Sequence, residues 1–131
     1  DRSVSKQIAI KSNLDGEEKI LDQIKNNDFD GLCFANLVDF DSKYGHRNNA
    51  VGYANALNEF DKYLGEMLNY LREDDTLFIT GDHGCDPATP STDHSREYTP
   101  FLMYGKTLKP QNYGTIKGFN FIAKNVLNIL K

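Results

Sequence analysis

Leu77-Phe78-Ile79-Thr80-Gly81-Asp82-His83-Gly84-Cys85-Asp86-Pro87 is the stretch on which the rest of the chain turns. Its apolar start reads as a buried strand. The strand breaks at Gly81, and two potential metal ligands, Asp82 and His83, follow at once. Neighbouring strand residues point to opposite faces, so the pair can serve one ion only if the backbone turns. Gly81 and Gly84 permit that turn. In open α/β sheets, ligands bind beyond the carboxyl ends of strands, where this stretch would lie.

Working outward, Gly31 to Val38 is nearly continuous apolar sequence, as expected of a strand covered on both faces in a parallel sheet. It leads into a second polar loop, Asp39-Phe40-Asp41-Ser42-Lys43-Tyr44-Gly45-His46-Arg47. Val51, Ala54, Leu57, Phe60, Leu64, Leu68 and Leu71 recur at three- and four-residue steps. They predict a helix from about Ala50 to Leu71, capped by Asn48 or Asn49. Strand, helix and strand in that order imply a right-handed crossover and parallel pairing. Pro100 to Tyr104 reads as a third strand, and Phe119 to Leu130 as a terminal helix. Near the start, Ser12 or Asn13 caps a helix with Asp15, Glu17 and Glu18 in its first turn, ending at Asn26-Asn27-Asp28. Residues 1–11 fit either a short strand or a linker. The expected fold is α/β, a mainly parallel sheet flanked by helices.

With 131 residues the chain suits a single domain with a modest core. Its 15 Lys and Arg against 19 Asp and Glu leave it mildly acidic, with no basic stretch for a nucleic acid. No apolar run is long enough to span a membrane. Cys33, in an apolar run, is expected to be a buried thiol. Cys85 lies in the polar loop without an arrangement that would activate it as a nucleophile. No disulfide is implied, so a reducing cytoplasm is the expected compartment. The chain begins Asp1-Arg2-Ser3 and its first methionine is Met67, which reads as a processed or excised piece.

All three histidines, His46, His83 and His94, fall in loops predicted at or beyond strand ends, accompanied by Asp39, Asp41, Asp82, Asp86 and Asp93. Imidazole with carboxylate suits a divalent transition ion such as Mn²⁺ or Zn²⁺. The ligands are too many for one tetrahedral site. Two metals would use them better, in the arrangement that clamps a phosphoryl group during in-line displacement. Each residue taken alone reads more readily as a solvated loop residue than as a ligand; three histidines arranged in this way read otherwise.

Four motifs carry a family resemblance: Leu37-Val38-Asp39-Phe40-Asp41, Tyr44-Gly45-His46-Arg47, Gly81 to Pro87, and Thr92-Asp93-His94-Ser95-Arg96-Glu97. In kind and order they closely resemble phosphopentomutase, of the alkaline phosphatase superfamily, from about Ser12 to the C-terminus. The resemblance implies an isomerase that interconverts (deoxy)ribose 1-phosphate and (deoxy)ribose 5-phosphate. It implies two Mn²⁺ ions, a phosphothreonine and a sugar bisphosphate activator. It assigns Asp41, His46 and His94 to one metal and Asp82 and His83 to the other. Asp39 becomes a loop-structuring residue, and Asp86 and Asp93 hydrogen-bonding partners. Arg47 and Arg96 pair with local carboxylates or touch phosphate, the first being favoured. The family's nucleophilic Thr, a further metal-binding Asp and the sugar-gripping cap have no counterpart here, and none of Thr80, Thr89, Ser91 and Thr92 matches the nucleophile. The expectation is the C-terminal part of a catalytic core, inactive alone and holding at most one metal, with the remaining segment of the same protein and a pentose phosphate as partners. Two alternatives stand beside it. One is another enzyme of the superfamily, a phosphoglycerate mutase or a phosphatase; the other is a non-catalytic metal-binding module.

Overall fold

The computed structural model describes residues 4–131. Helix α1 spans Asn13–Asn26, and the Ser12 side chain accepts the Asp15 N–H at 3.1 Å as its N-cap. The helix ends at Asn27, in the left-handed region at φ 49°. Its N–H and that of Asp28 return to the carbonyls of Ile24 and Gln23, a Schellman closure. Helix α2 spans Ala50–Tyr70, and Asn49 caps it by accepting the Gly52 N–H at 2.9 Å. Strands β1 (Leu77–Thr80) and β2 (Phe101–Tyr104) and helix α3 (Asn120–Ile129) complete the order.

The first helix packs on the second. Leu21, Ala56, Met67 and Leu71 form the buried apolar seam. The expected stripe on α2 is only partly used, because α1 is short and covers a narrow band of the longer helix. Val51 and Leu57 face outward, while Ala56 and Met67 turn inward. A second cluster fastens β2 to α3. Phe101, Tyr113 and Phe121 meet edge to face with ring centroids 5.1–5.7 Å apart, a favoured arrangement of aromatic quadrupoles.

The sheet differs from the expectation. Its two strands are antiparallel, Leu77 opposite Tyr104 and Thr80 opposite Phe101. The 20 residues between them fold back on themselves, so β2 returns beside β1 in the reverse direction. The stretch Gly31 to Val38 belongs to neither strand. A strand requires a neighbour to satisfy its N–H and C=O groups, and none of the described residues lies alongside it as one. Its side chains are correspondingly uncovered: Phe34 is 84% exposed and Cys33 is exposed rather than buried. The parallel sheet is therefore replaced by a small antiparallel pair flanked by helices. Of the possible N-terminal strand over 1–11, residues 4–11 form none, and residues 1–3 lie outside the described residues.

Candidate metal centre

The Asp39 loop is helical rather than irregular. Phe40–Tyr44 forms one π-helical turn and Gly45–Arg47 a 3₁₀ turn. Ser42 closes the first turn with both its N–H and its hydroxyl on the Val38 carbonyl, at 3.0 and 2.8 Å. A π-turn is rare and recurs at functional sites. Here it carries Asp41 and delivers His46 beside it.

The second loop leaves β1 at Thr80 and doubles back. Gly84 and Ser95 form an isolated antiparallel bridge, the Ser95 N–H donating to the Gly84 carbonyl at 3.0 Å. The Ser95 hydroxyl accepts the Asp86 N–H at 3.0 Å. These bonds bring His83 and His94 together, with rings stacked at 3.5 Å between centroids. The contact demands glycine at position 84, since a Cβ there would lie 2.5 Å from the Ser95 and Glu97 carbonyl oxygens.

The two loops converge on one atom. Asp41 Oδ1 lies 3.3 Å from His94 Nε2, 3.4 Å from His46 Nε2 and 3.7 Å from His83 Nε2. That oxygen is buried and has no hydrogen-bond partner. Asp41, His46 and His94 offer ligand atoms all within 4.8 Å of one another. The far sides of two rings fix their tautomers. His46 Nδ1 bonds the Thr92 carbonyl, and His83 Nδ1 the Gly84 carbonyl at 3.1 Å. A carbonyl only accepts, so Nδ1 carries the proton and the Nε2 lone pair faces Asp41. Lone pairs gathered around a buried carboxylate oxygen repel one another unless a cation lies among them. The 3.3–3.4 Å separations match the edge of a coordination tetrahedron, about 3.4 Å for bonds of about 2.1 Å. The donor set fits a divalent ion.

Of the five predicted ligands, Asp41 supplies this oxygen and His46, His83 and His94 meet around it. Asp82 stands at the lip, its side chain 83% exposed and its Oδ1 3.5 Å from His83 Nε2. Asp39 turns away toward α1, accepting from the Asn13 N–H. Asp86 closes its own turn by accepting the Ala88 N–H at 2.9 Å, and the Asp93 N–H is taken by the Ser91 hydroxyl. Arg47 and Arg96 are exposed. A hydrogen bond from Ser95 and, more weakly, the charge of Arg96 hold the Glu97 carboxyl below its usual range. Burial pushes the Cys85 thiol up, and the charges of Asp41, Asp86 and Glu97 add to the rise, the opposite of what a nucleophilic cysteine needs. Sequence reasoning missed two participants. The Thr92 carbonyl is main chain and leaves no trace in residue type. Asn13, read as a helix cap, instead bonds the Asp41 turn.

A histidine–aspartate pocket where two loops meet has the donor set of a divalent-metal site. The sequence pattern of the Metalloenzyme superfamily matches residues 3–131, and the chain belongs to that superfamily. Within it the chain is similar to proteins named phosphopentomutase. It is 53% identical to that of Acetivibrio thermocellus over 98% of this chain and 33% of the relative. It is 52% identical to that of Clostridium kluyveri over the same shares. It is 55% identical to that of Thermotoga maritima over 88% of this chain and 30% of the relative. The chain thus spans about a third of the length of the curated relatives it matches. No helix among the described residues is long and apolar enough to cross a membrane.

Proposed function

We propose that this chain is the C-terminal, metal-holding part of the catalytic core of a phosphopentomutase. The whole protein interconverts (deoxy)ribose 1-phosphate and (deoxy)ribose 5-phosphate in the cytoplasm. The observation that carries the reading is the buried, unbonded Asp41 Oδ1 ringed by three imidazole nitrogens, in a chain just over half identical to phosphopentomutases.

In this reading Asp41, His46 and His94 hold one Mn²⁺. Asp82 and His83 contribute to a second, whose other ligands come from the remainder of the protein. Bound together, such ions stabilise the charge that develops on a phosphoryl group in transfer. The chain's own residues prepare the pocket. The Thr92 and Gly84 carbonyls keep His46 and His83 in the tautomer with Nε2 free. Stacking of His83 on His94 fixes the ring planes.

The phosphate-accepting Thr lies in the other two thirds of the protein. In support, three of the four nearby hydroxyls are engaged with local backbone: Thr80 with Gly81, Thr89 with Asp86 and Ser91 with Asp93. The chain alone is then a metal-binding module without turnover, holding at most one well-bound ion.

The test is an assay of the whole protein on ribose 1-phosphate with Mn²⁺ and a sugar bisphosphate, beside 2-phosphoglycerate. Turnover of ribose 1-phosphate that is lost in His94→Ala is expected. Turnover of 2-phosphoglycerate instead would move the protein to another branch of the superfamily. For the chain alone, calorimetry with Mn²⁺ is expected to give one site, lost in His94→Ala and little changed in His83→Ala. Two sites, or equal losses, would overturn the ligand assignment.

A further inference from the structure

Asn13 stands outside the histidine pocket, on the first residue of α1, and is 3% exposed. Its carboxamide does not cap its own helix, a task Ser12 performs. Instead its Oδ1 accepts the Asp39 N–H at 2.9 Å, and its own N–H donates to Asp39 Oδ2 at 3.1 Å. This reciprocal pair bridges 26 residues of sequence and ends two positions before Asp41. One turn further along α1, Gly16 lies directly on the chain that enters the site: a Cβ there would be 2.8 Å from Leu37 Cδ2. Helix α1 thus grips residues 37 and 39, on the approach to the π-turn. Lys43, on the turn itself, reaches back to 3.8 Å from Asp39 Oδ2.

We infer that Asn13 is a positioning residue: through Asp39 it holds the π-turn that presents Asp41 to the three imidazoles. The link to metal binding rests on the reading that the pocket takes a metal; the hold on the turn does not. A single π-turn is an unfavourable stretch of backbone that persists where surrounding bonds fix it. Two part-buried hydrogen bonds from a helix end supply such a fixture. The pair also excludes Asp39 from the pocket by committing its carboxylate to α1.

Hydrogen exchange on the isolated chain tests this. In Asn13→Ala the Ser12 cap and the helix remain, and alanine suits a helix. Amides from Asp39 to His46 are expected to exchange about tenfold faster, the weight of one lost bond, while those of α2 keep their rates. Mn²⁺ affinity, read by calorimetry, is expected to weaken about tenfold. Asp39→Asn retains an acceptor for the Asn13 N–H and its own N–H donor, and should remain close to the unmodified chain in both readouts. Unchanged exchange in the turn, or equal acceleration throughout α2, would overturn the inference, the second because it marks a general loss of stability. Should Asn13→Ala fail to fold, Asp39→Ala removes the other bond and is judged by the same two criteria. If Mn²⁺ does not bind the unmodified chain while the turn alone loosens in Asn13→Ala, the metal reading falls and the hold on Asp41 stands.

Discussion

Among the described residues, two carboxyl groups carry buried oxygens without a hydrogen bond, and they differ in every neighbour. Asp41 Oδ1 is faced by three imidazole nitrogens. Glu17, on α1, is 0% exposed with both oxygens unbonded, and the charges that reach it are the acids Glu59 and Asp39. An unpaired buried charge is costly, and a protein resolves it with a cation or by protonation. Asp41 has the donor groups to share a cation. Glu17 has none, and burial above all, with Glu59 and Asp39 adding to it, pushes its carboxyl up to about 7. An orphan carboxylate by itself therefore does not mark a site; the lone pairs around it do.

Asp41→Asn breaks the comparison most sharply. The amide keeps the shape and removes the charge that balances a divalent ion. Mn²⁺ affinity should fall by about 1,000-fold or more, since even an outer partner of a metal ligand is worth 10- to 100-fold. Without metal the variant should be at least as stable as the parent, because the uncompensated charge is gone. Calorimetry and thermal melts in a chelator read the two effects separately.

Glu17→Gln is the matching change at the other carboxylate. The folded group titrates at about 7 against an ordinary 4.5. Below pH 4.5 both states are protonated and nothing is lost. Between 4.5 and 7 the unfolded chain releases its proton first, so stability falls as pH rises, and above 7 the loss levels off. The rise from 4.5 to about 7 corresponds to about 3 kcal/mol. Glu17→Gln should remove that slope and stabilise the chain at pH 8 relative to the parent, while Mn²⁺ affinity stays within about twofold. Denaturant melts at pH 4 and pH 8 decide it; an equal gain at both would show that folding does not raise this carboxyl.

Gly84→Ala acts on the pocket through the backbone. A methyl group there meets two carbonyl oxygens that no rotamer change can move. The bridge to Ser95 must open, at about 2 kcal/mol, and His83 and His94 separate. Weaker Mn²⁺ binding with an unchanged α-helical signal is expected by calorimetry and circular dichroism.

What was legible in the sequence follows the range of the interactions. Caps act within four residues, so spacing narrowed them to Ser12 or Asn13 and to Asn48 or Asn49, and the structure selects Ser12 and Asn49. Each loop's chemistry could be read from its own residues, because a turn that carries Asp41 five residues before His46 assembles locally. An apolar run states that its residues favour burial, not which chain covers them, and Gly31 to Val38 was misplaced for that reason. The Asn13–Asp39 pair spans 26 residues between two polar side chains of common type, and no local pattern announces it.

The smallest effect asks which force raises Glu17. Desolvation is the largest cause, with Glu59 and then Asp39 behind it. Glu59 is exposed on α2, so water and salt screen its charge. Removing that charge in Glu59→Gln leaves Glu17 as buried as before. The variant should therefore regain less than about 1 kcal/mol at pH 8, and the gain should vanish near 1 M salt, where the screening length is about 3 Å. The slope of stability against pH should survive almost intact. If Glu59→Gln instead flattened that slope as fully as Glu17→Gln, repulsion between the two helices would be the cause. Glu17 would then be an ordinary acid beside a poorly placed neighbour, and its contrast with Asp41 would be one of charge rather than of burial.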